Sequence, residues 1–150
     1  NLADWQRQAR EHGQIDIREG TKGGRGKEVE RWVTVNERGR VALREAANVR
    51  SQLGGQNLLR ADETFDDLVN DGEVHRARKI LHDFGIKGYH ELRAAWACER
   101  YEEISGATAP VVQAGTSLGQ ENDEQFRLNL ARELGHDRVD VVAAYIGARP

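Results

Sequence analysis

The sequence has no methionine, at its first position or anywhere else, and only one cysteine, Cys98. The missing methionine leads us to expect a piece of a longer protein or a processed form. One cysteine excludes an intramolecular disulfide and is too few for a zinc-thiolate cluster, in keeping with a reducing compartment. No apolar run is long enough to span a bilayer, and no basic, apolar and small-residue leader pattern is present. A chain that is 31% charged and 38% hydrophobic reads as soluble, cytoplasmic and without a membrane partner. At 150 residues it can bury roughly 68–70% of its unfolded surface, so one domain is the default expectation.

The net charge of −3 argues against a protein coated in positive charge, but the charge is unevenly spread. From Arg18 to Arg50 nine Lys/Arg face five Asp/Glu, whereas Asp62 to Glu73 holds six acids and no base. A one-sided polyanion surface needs such asymmetry, although an ordinary solvated surface accounts for charge alone equally well.

Residues 2–12 have helical spacing, with Leu2, Trp5 and Ala9 on one stripe and Gly13 as a stop. The segments 15–19 and 28–35 flank Gly20-Thr-Lys-Gly-Gly-Arg-Gly26, which reads as the loop of a β-hairpin with Lys22 and Arg25 at its tip. A helix follows over 37–53, closed by Gly54-Gly55. Residues 64–84 predict one helix interrupted at Gly72 or two short ones. Residues 89–105 predict the clearest helix, burying Leu92, Trp96, Ala97, Tyr101 and Ile104. From Ala107 to Gln120 the composition, with Pro110, is that of an extended loop. A helix is expected over Asp123–Leu134 with Gly135 as its C-cap, and Asp137 as N-cap of a last short helix through Tyr145. The expected fold is α+β, mainly α, with a small antiparallel hairpin or sheet.

Three motifs bear on chemistry. In His90-Glu-Leu-Arg93 the histidine and arginine are three apart, so on a helix they share a face. An imidazole and a guanidinium fork together suit the non-bridging oxygens of a phosphodiester transition state. His90-Glu91 also begins a zinc-protease H-E-x-x-H pattern, which fails because Ala94 stands at the second histidine. In Leu134-Gly135-His136 the turn at a helix end fixes the histidine, and nine residues later Tyr145 lies in an apolar run. The glycine-rich loop is not a Walker motif, since Thr21 and Glu28 replace its required residues, yet a lysine at such a tip can donate to a phosphate. His75 and His82, without further ligand-type neighbours, read as structural or solvated. Taken singly, each motif is weak: a solvated His-Arg pair, an exposed lysine and a packing tyrosine are the ordinary readings.

In this order, T-K-G-G-R, H-x-L-R, L-G-H and a tyrosine nine residues beyond, the motifs resemble the catalytic domain of tyrosine recombinases, the lambda-integrase-like enzymes of phages and mobile elements. The resemblance covers about residues 15–147 and implies a helical DNA breaking-rejoining core. It implies Lys22 as general acid for the leaving 5′-oxygen, with Lys27 in the same stretch as the competing choice. His90 and Arg93 would bind and polarise the scissile phosphate, His136 would hydrogen-bond a phosphate oxygen, and Tyr145 would form a 3′-phosphotyrosine. Arg25, Lys27 and Arg31 are candidate phosphate contacts beside the hairpin. The implied partner is double-stranded DNA at an attachment site, with a homotetramer on DNA and this piece alone a monomer. The implied chemistry needs neither metal nor ATP, and the implied location is the cytoplasm or nucleoid of a bacterium or phage host.

The family's first active-site arginine has no counterpart, since Arg7 and Arg10 lie on a plain amphipathic helix. We therefore expect the chain to begin after that arginine and to be inactive or nearly so alone. Five residues follow Tyr145, so a C-terminal segment that docks on a neighbouring subunit and the N-terminal DNA-clamping domain are both expected to be missing. The Arg93–His136 interval of 43 residues is long, and 107–120 reads as its insertion. Two other readings stand beside a recombinase: an inactive DNA-binding or regulatory relative, and a generic helical interaction module. The last predicts that His90, Arg93, His136 and Tyr145 do not converge.

Overall fold

The computed structural model describes residues 1–18, 30–114, 118–136 and 138–149. They are mainly helical with one two-stranded antiparallel sheet, which is the expected α+β, mainly α class. The chain divides into two compact units, Asn1–Gly85 and Ile86–Pro150.

In the first unit, helix α1 (Leu2–His12) leads through Gly13 into strand β1 (Gln14–Asp16), which pairs with β2 (Trp32–Thr34) in the register Ile15 to Val33. Among the described residues, Ile17 N–H to the Arg31 carbonyl (2.9 Å) and Val35 N–H to the Gly13 carbonyl (2.9 Å) extend the pairing by one bond at each end. The base of the hairpin is braced by Asp16, whose carboxylate accepts from the Arg31 amide (2.8 Å) and from the Arg18 guanidinium. Trp5 Nε1 donates to the Asp16 carbonyl at 2.9 Å and so fastens α1 to the same place. Ala9, Ile15 and Val35 form a small core with Trp5, Ile17, Val33 and Leu43 packed on it.

Helix α2 (Glu37–Leu53) starts where the Asn36 side chain accepts from the Gly39 amide. It buries no residue, because this small core reaches only Leu43 of its apolar positions. The 64–84 segment resolves into two helices, α3 (Phe65–Asn70) and α4 (Glu73–Asp83), broken at Gly72. Thr64 and Asp67 form a reciprocal capping box that starts α3.

In the second unit, α5 (Tyr89–Ser105) and α6 (Gln120–Glu133) pack with a 3₁₀ turn (Asp140–Val142) and the one-turn helix α7 (Ala143–Ile146). The core holds Ala97, Tyr101, Ala109, Leu130, Ala131, Leu134, Val142, Tyr145 and Ile146. Three expectations are corrected here. Helix α6 begins at Gln120, three residues early, so Asp123 lies inside its first turn. The last segment is a 3₁₀ turn followed by α7 instead of one helix from residue 137, which itself lies outside the described residues. Leu92 is 41% exposed, because the buried stripe of α5 runs through Ala97 and Tyr101 with Ala94 and Cys98 beside it, and Leu92 falls off that stripe.

Candidate active site

Helix α6 ends in a tight, fully bonded turn. Gly135 has φ +76°, the left-handed conformation that glycine adopts without steric cost. Its amide donates to the Arg132 carbonyl (2.9 Å) and the His136 amide donates to the Ala131 carbonyl (2.8 Å), the paired bonds of a Schellman motif. The backbone of His136 is thus fixed by α6, as the Gly135-His136 pattern predicted. One guanidinium arm of Arg93, on the second turn of α5, donates to the Leu134 carbonyl at the same helix terminus. Both side chains are therefore aimed from one set of main-chain atoms.

Between them lies Tyr145, 9% exposed. Its hydroxyl is 3.5 Å from Nε2 of His136. The His90 ring lies 5.3 Å from the Tyr145 ring, the His136 ring 6.1 Å, and the Arg93 guanidinium carbon 5.6 Å from its centre. The spacing of His90 and Arg93 on one helix face brings both to the same aromatic ring. Nε of Arg93 is buried without a hydrogen-bond partner, and a buried donor left unpaired costs roughly 1–3 kcal/mol. Four candidates named from the sequence, His90, Arg93, His136 and Tyr145, thus lie side by side inside the second unit.

The other candidates fall in the first unit. Arg31 sits at the base of the hairpin beside β2, its amide held by Asp16. Lys22 and Arg25, the tip of the expected hairpin, and Lys27 just beyond its loop lie outside the described residues.

Behind the tyrosine lies a network that sequence reasoning missed. Asp123 is completely buried and accepts from the Tyr101 hydroxyl (2.5 Å), Arg127 Nε (2.9 Å) and Arg149 Nε (2.7 Å). Burial pushes the Asp123 carboxyl up, but the bonds from Tyr101, Arg149 and Arg127 outweigh it and hold the group below the ordinary carboxylate range. Arg127 also donates to the Gly147 carbonyl at 3.0 Å. The spacing of Asp123 and Arg127, four apart on a helix, was the available signal, though such pairs are usually solvated. The Cys98 thiol donates to the Tyr145 carbonyl (3.6 Å), and burial pushes that thiol up.

Among the described residues, no group of three or more His, Cys, Asp or Glu is arranged to hold a metal ion, and no helix is long and apolar enough to cross a membrane.

A family model described as Integrase matches residues 1–99, two thirds of the chain. The chain belongs to the integrase family. This is the phage-integrase, tyrosine-recombinase-like family that the motif order resembles. The matched stretch takes in the first unit and the start of α5 with His90 and Arg93, whereas His136 and Tyr145 lie beyond it. No curated protein and no solved structure matches the chain. Membership in the integrase family places this chain among proteins of DNA recombination and integration, with DNA as the partner.

Proposed function

We propose that this integrase carries out site-specific strand exchange on double-stranded DNA with Tyr145 as the nucleophile. The observation that supports it best is the Tyr145 hydroxyl, 3.5 Å from His136 Nε2, on a ring that His90 and Arg93 flank. A phenol is a weak nucleophile at neutral pH, and an adjacent base activates it. Here His136 Nε2 takes up the phenolic proton as Oη attacks phosphorus, and the resulting imidazolium donates to a non-bridging oxygen. The Tyr145 Oη–P bond forms and the P–O5′ bond breaks, leaving a 3′-phosphotyrosine. Lys22, or Lys27 of the same stretch, protonates the departing 5′-oxygen.

His90 and Arg93 stabilise the charge that develops on the phosphate, a role in which one preorganised donor is worth on the order of 10²–10³ in rate. Because the phosphodiester energy is kept in the covalent intermediate, the cycle needs neither metal nor ATP. Arg25, Lys27 and Arg31 hold the DNA backbone beside the hairpin. Four copies of the intact protein assemble on two duplexes to exchange strands.

The experiment is a metal-free suicide assay. The intact protein is mixed with nicked DNA carrying its attachment site, and a covalent adduct is sought on a denaturing gel. An adduct that vanishes in Tyr145→Phe, with DNA binding retained, is the expected result. An adduct that survives assigns the nucleophile to another tyrosine, Tyr89 or Tyr101. Bound DNA without any adduct in the wild type would favour the inactive DNA-binding relative.

A further inference from the structure

Helix α7, which bears Tyr145, is one turn long. A helix of that length has no stability of its own, since nucleation costs more than one turn returns. Whatever aims the tyrosine must therefore come from the chain around it. The chain just beyond it is held at three points. The Ile146 carbonyl accepts from the Val111 amide (2.9 Å) and the Gly147 carbonyl from Arg127. Arg149 Nε reaches the buried Asp123 carboxylate while its other arm donates to the Gln120 carbonyl (3.1 Å). Asp123 thus receives two arginines, one from its own helix and one from the segment that follows the tyrosine. A buried ion network of this kind is seldom more stable than a well-packed apolar cluster of the same volume. What it supplies is direction, because a guanidinium fork meets a carboxylate in a narrow range of angles.

We propose that Asp123 and Arg149 are positioning residues for the reaction: a latch that holds α7 so that the Tyr145 hydroxyl faces His136 and Arg93. This rests on the reading of Tyr145 as nucleophile. Neither residue touches the phosphate, and their effect passes through the placement of one oxygen. A displacement of about 1 Å at a reacting atom can cost on the order of 10²-fold in rate.

The test uses Arg149→Gln and Arg149→Lys in the intact protein, with two readouts. The first is the single-turnover rate of adduct formation on saturating nicked DNA, beside the dissociation constant for the same DNA. The second is the ¹⁹F resonance of Tyr145 in protein labelled with 3-fluorotyrosine, the signals of Tyr89, Tyr101 and Tyr145 being assigned by Tyr→Phe substitution at each. In Arg149→Gln the adduct rate should fall by about 10- to 100-fold with DNA affinity unchanged. The Tyr145 resonance should move toward that of free fluorotyrosine while that of Tyr89 stays. Arg149→Lys should recover part of the rate, because an ammonium keeps the charge but reaches one acceptor instead of two.

An Arg149→Gln protein with wild-type adduct rate and an unmoved Tyr145 resonance overturns the latch and leaves the nucleophile untouched. A fall in DNA affinity that matches the fall in rate, with Tyr145 unmoved, also overturns it and makes the network a stability element alone. If Arg149→Gln does not fold, Arg149→Lys decides by the same two readouts. An adduct that persists in Tyr145→Phe overturns the nucleophile assignment instead, while the resonance still reports whether Arg149 holds α7.

Discussion

The Tyr145 hydroxyl lies 3.5 Å from Nε2 of His136, a residue nine positions earlier in the chain and on the far side of a 3₁₀ turn. The contact pairs the only aromatic hydroxyl of α7 with an imidazole whose backbone is fixed by the end of α6. Replacing His136 by Ala should lower the single-turnover adduct rate on the order of 10²–10³-fold while DNA binding persists. Tyr145→Phe should give no adduct at all. A His136→Ala protein as fast as wild type would show that the imidazole contributes to packing alone.

Arg93 should not tolerate lysine. One arm is committed to the Leu134 carbonyl, and only a planar fork can keep that bond while presenting further donors to a phosphate. Arg93→Lys is expected to lose at least about tenfold in adduct rate with little change in thermal midpoint, measured by calorimetry and the suicide assay in parallel.

Gly147 should accept no side chain. Its φ of +90° is one that L-residues rarely adopt, and a Cβ there would come within 2.8 Å of the Val111 amide nitrogen. Gly147→Ala should cost roughly 1–3 kcal/mol in strain alone, read as a lowered midpoint in denaturant. Because the Ile146 carbonyl bonds that same Val111 amide, the adduct rate should fall as well.

Acid should weaken the second unit through Asp123. Its carboxyl is held below the ordinary range in the fold, against about 3.9 when unfolded. The stabilisation is therefore fully present above the unfolded value and drains away as pH falls through the lowered, folded one. Asp123→Asn should flatten the stability curve below about pH 4. At neutral pH the same variant should already be less stable, since two arginines then face a neutral amide. Stability measured in denaturant at pH 7, 5 and 3 checks both signs.

Cys98 should react slowly with alkylating reagents at neutral pH, because burial raises its thiol and the nucleophile is the thiolate. Unfolding in denaturant should bring its rate to that of a free cysteine. A native rate equal to that of the unfolded chain would mean the segment around the Tyr145 carbonyl opens readily.

The sequence made the local devices readable and hid the long-range ones. The three-residue spacing of His90 and Arg93, the Gly135 turn and the Gly72 break all follow from backbone geometry within a few residues, so a pattern could reveal them. Leu92 was misplaced because several apolar residues compete for the buried stripe of α5, and packing against α6 and α7 decides among them. The last helix was misjudged because the apolar run Val139–Ala144 reads as helical, while only part of it coils as α-helix. Asp123, Arg127 and Arg149 carry the composition of a solvated face. The burial of Asp123 and Arg127 depends on the C-terminal segment, with half-buried Arg149, returning over α6, which no local spacing announces. The Lys22, Arg25 and Lys27 expectations concern a stretch outside the described residues.

The two bonds that aim the site from α6 end on main-chain oxygens, those of Ala131 and Leu134. Side-chain identity at these two positions therefore governs volume in the core, while the direction of the imidazole and the guanidinium is written in the peptide backbone. An evolving lineage can exchange one apolar residue for another there and keep its aim, whereas Gly135, which has no side chain to vary, is the position at which drift would be felt as lost orientation.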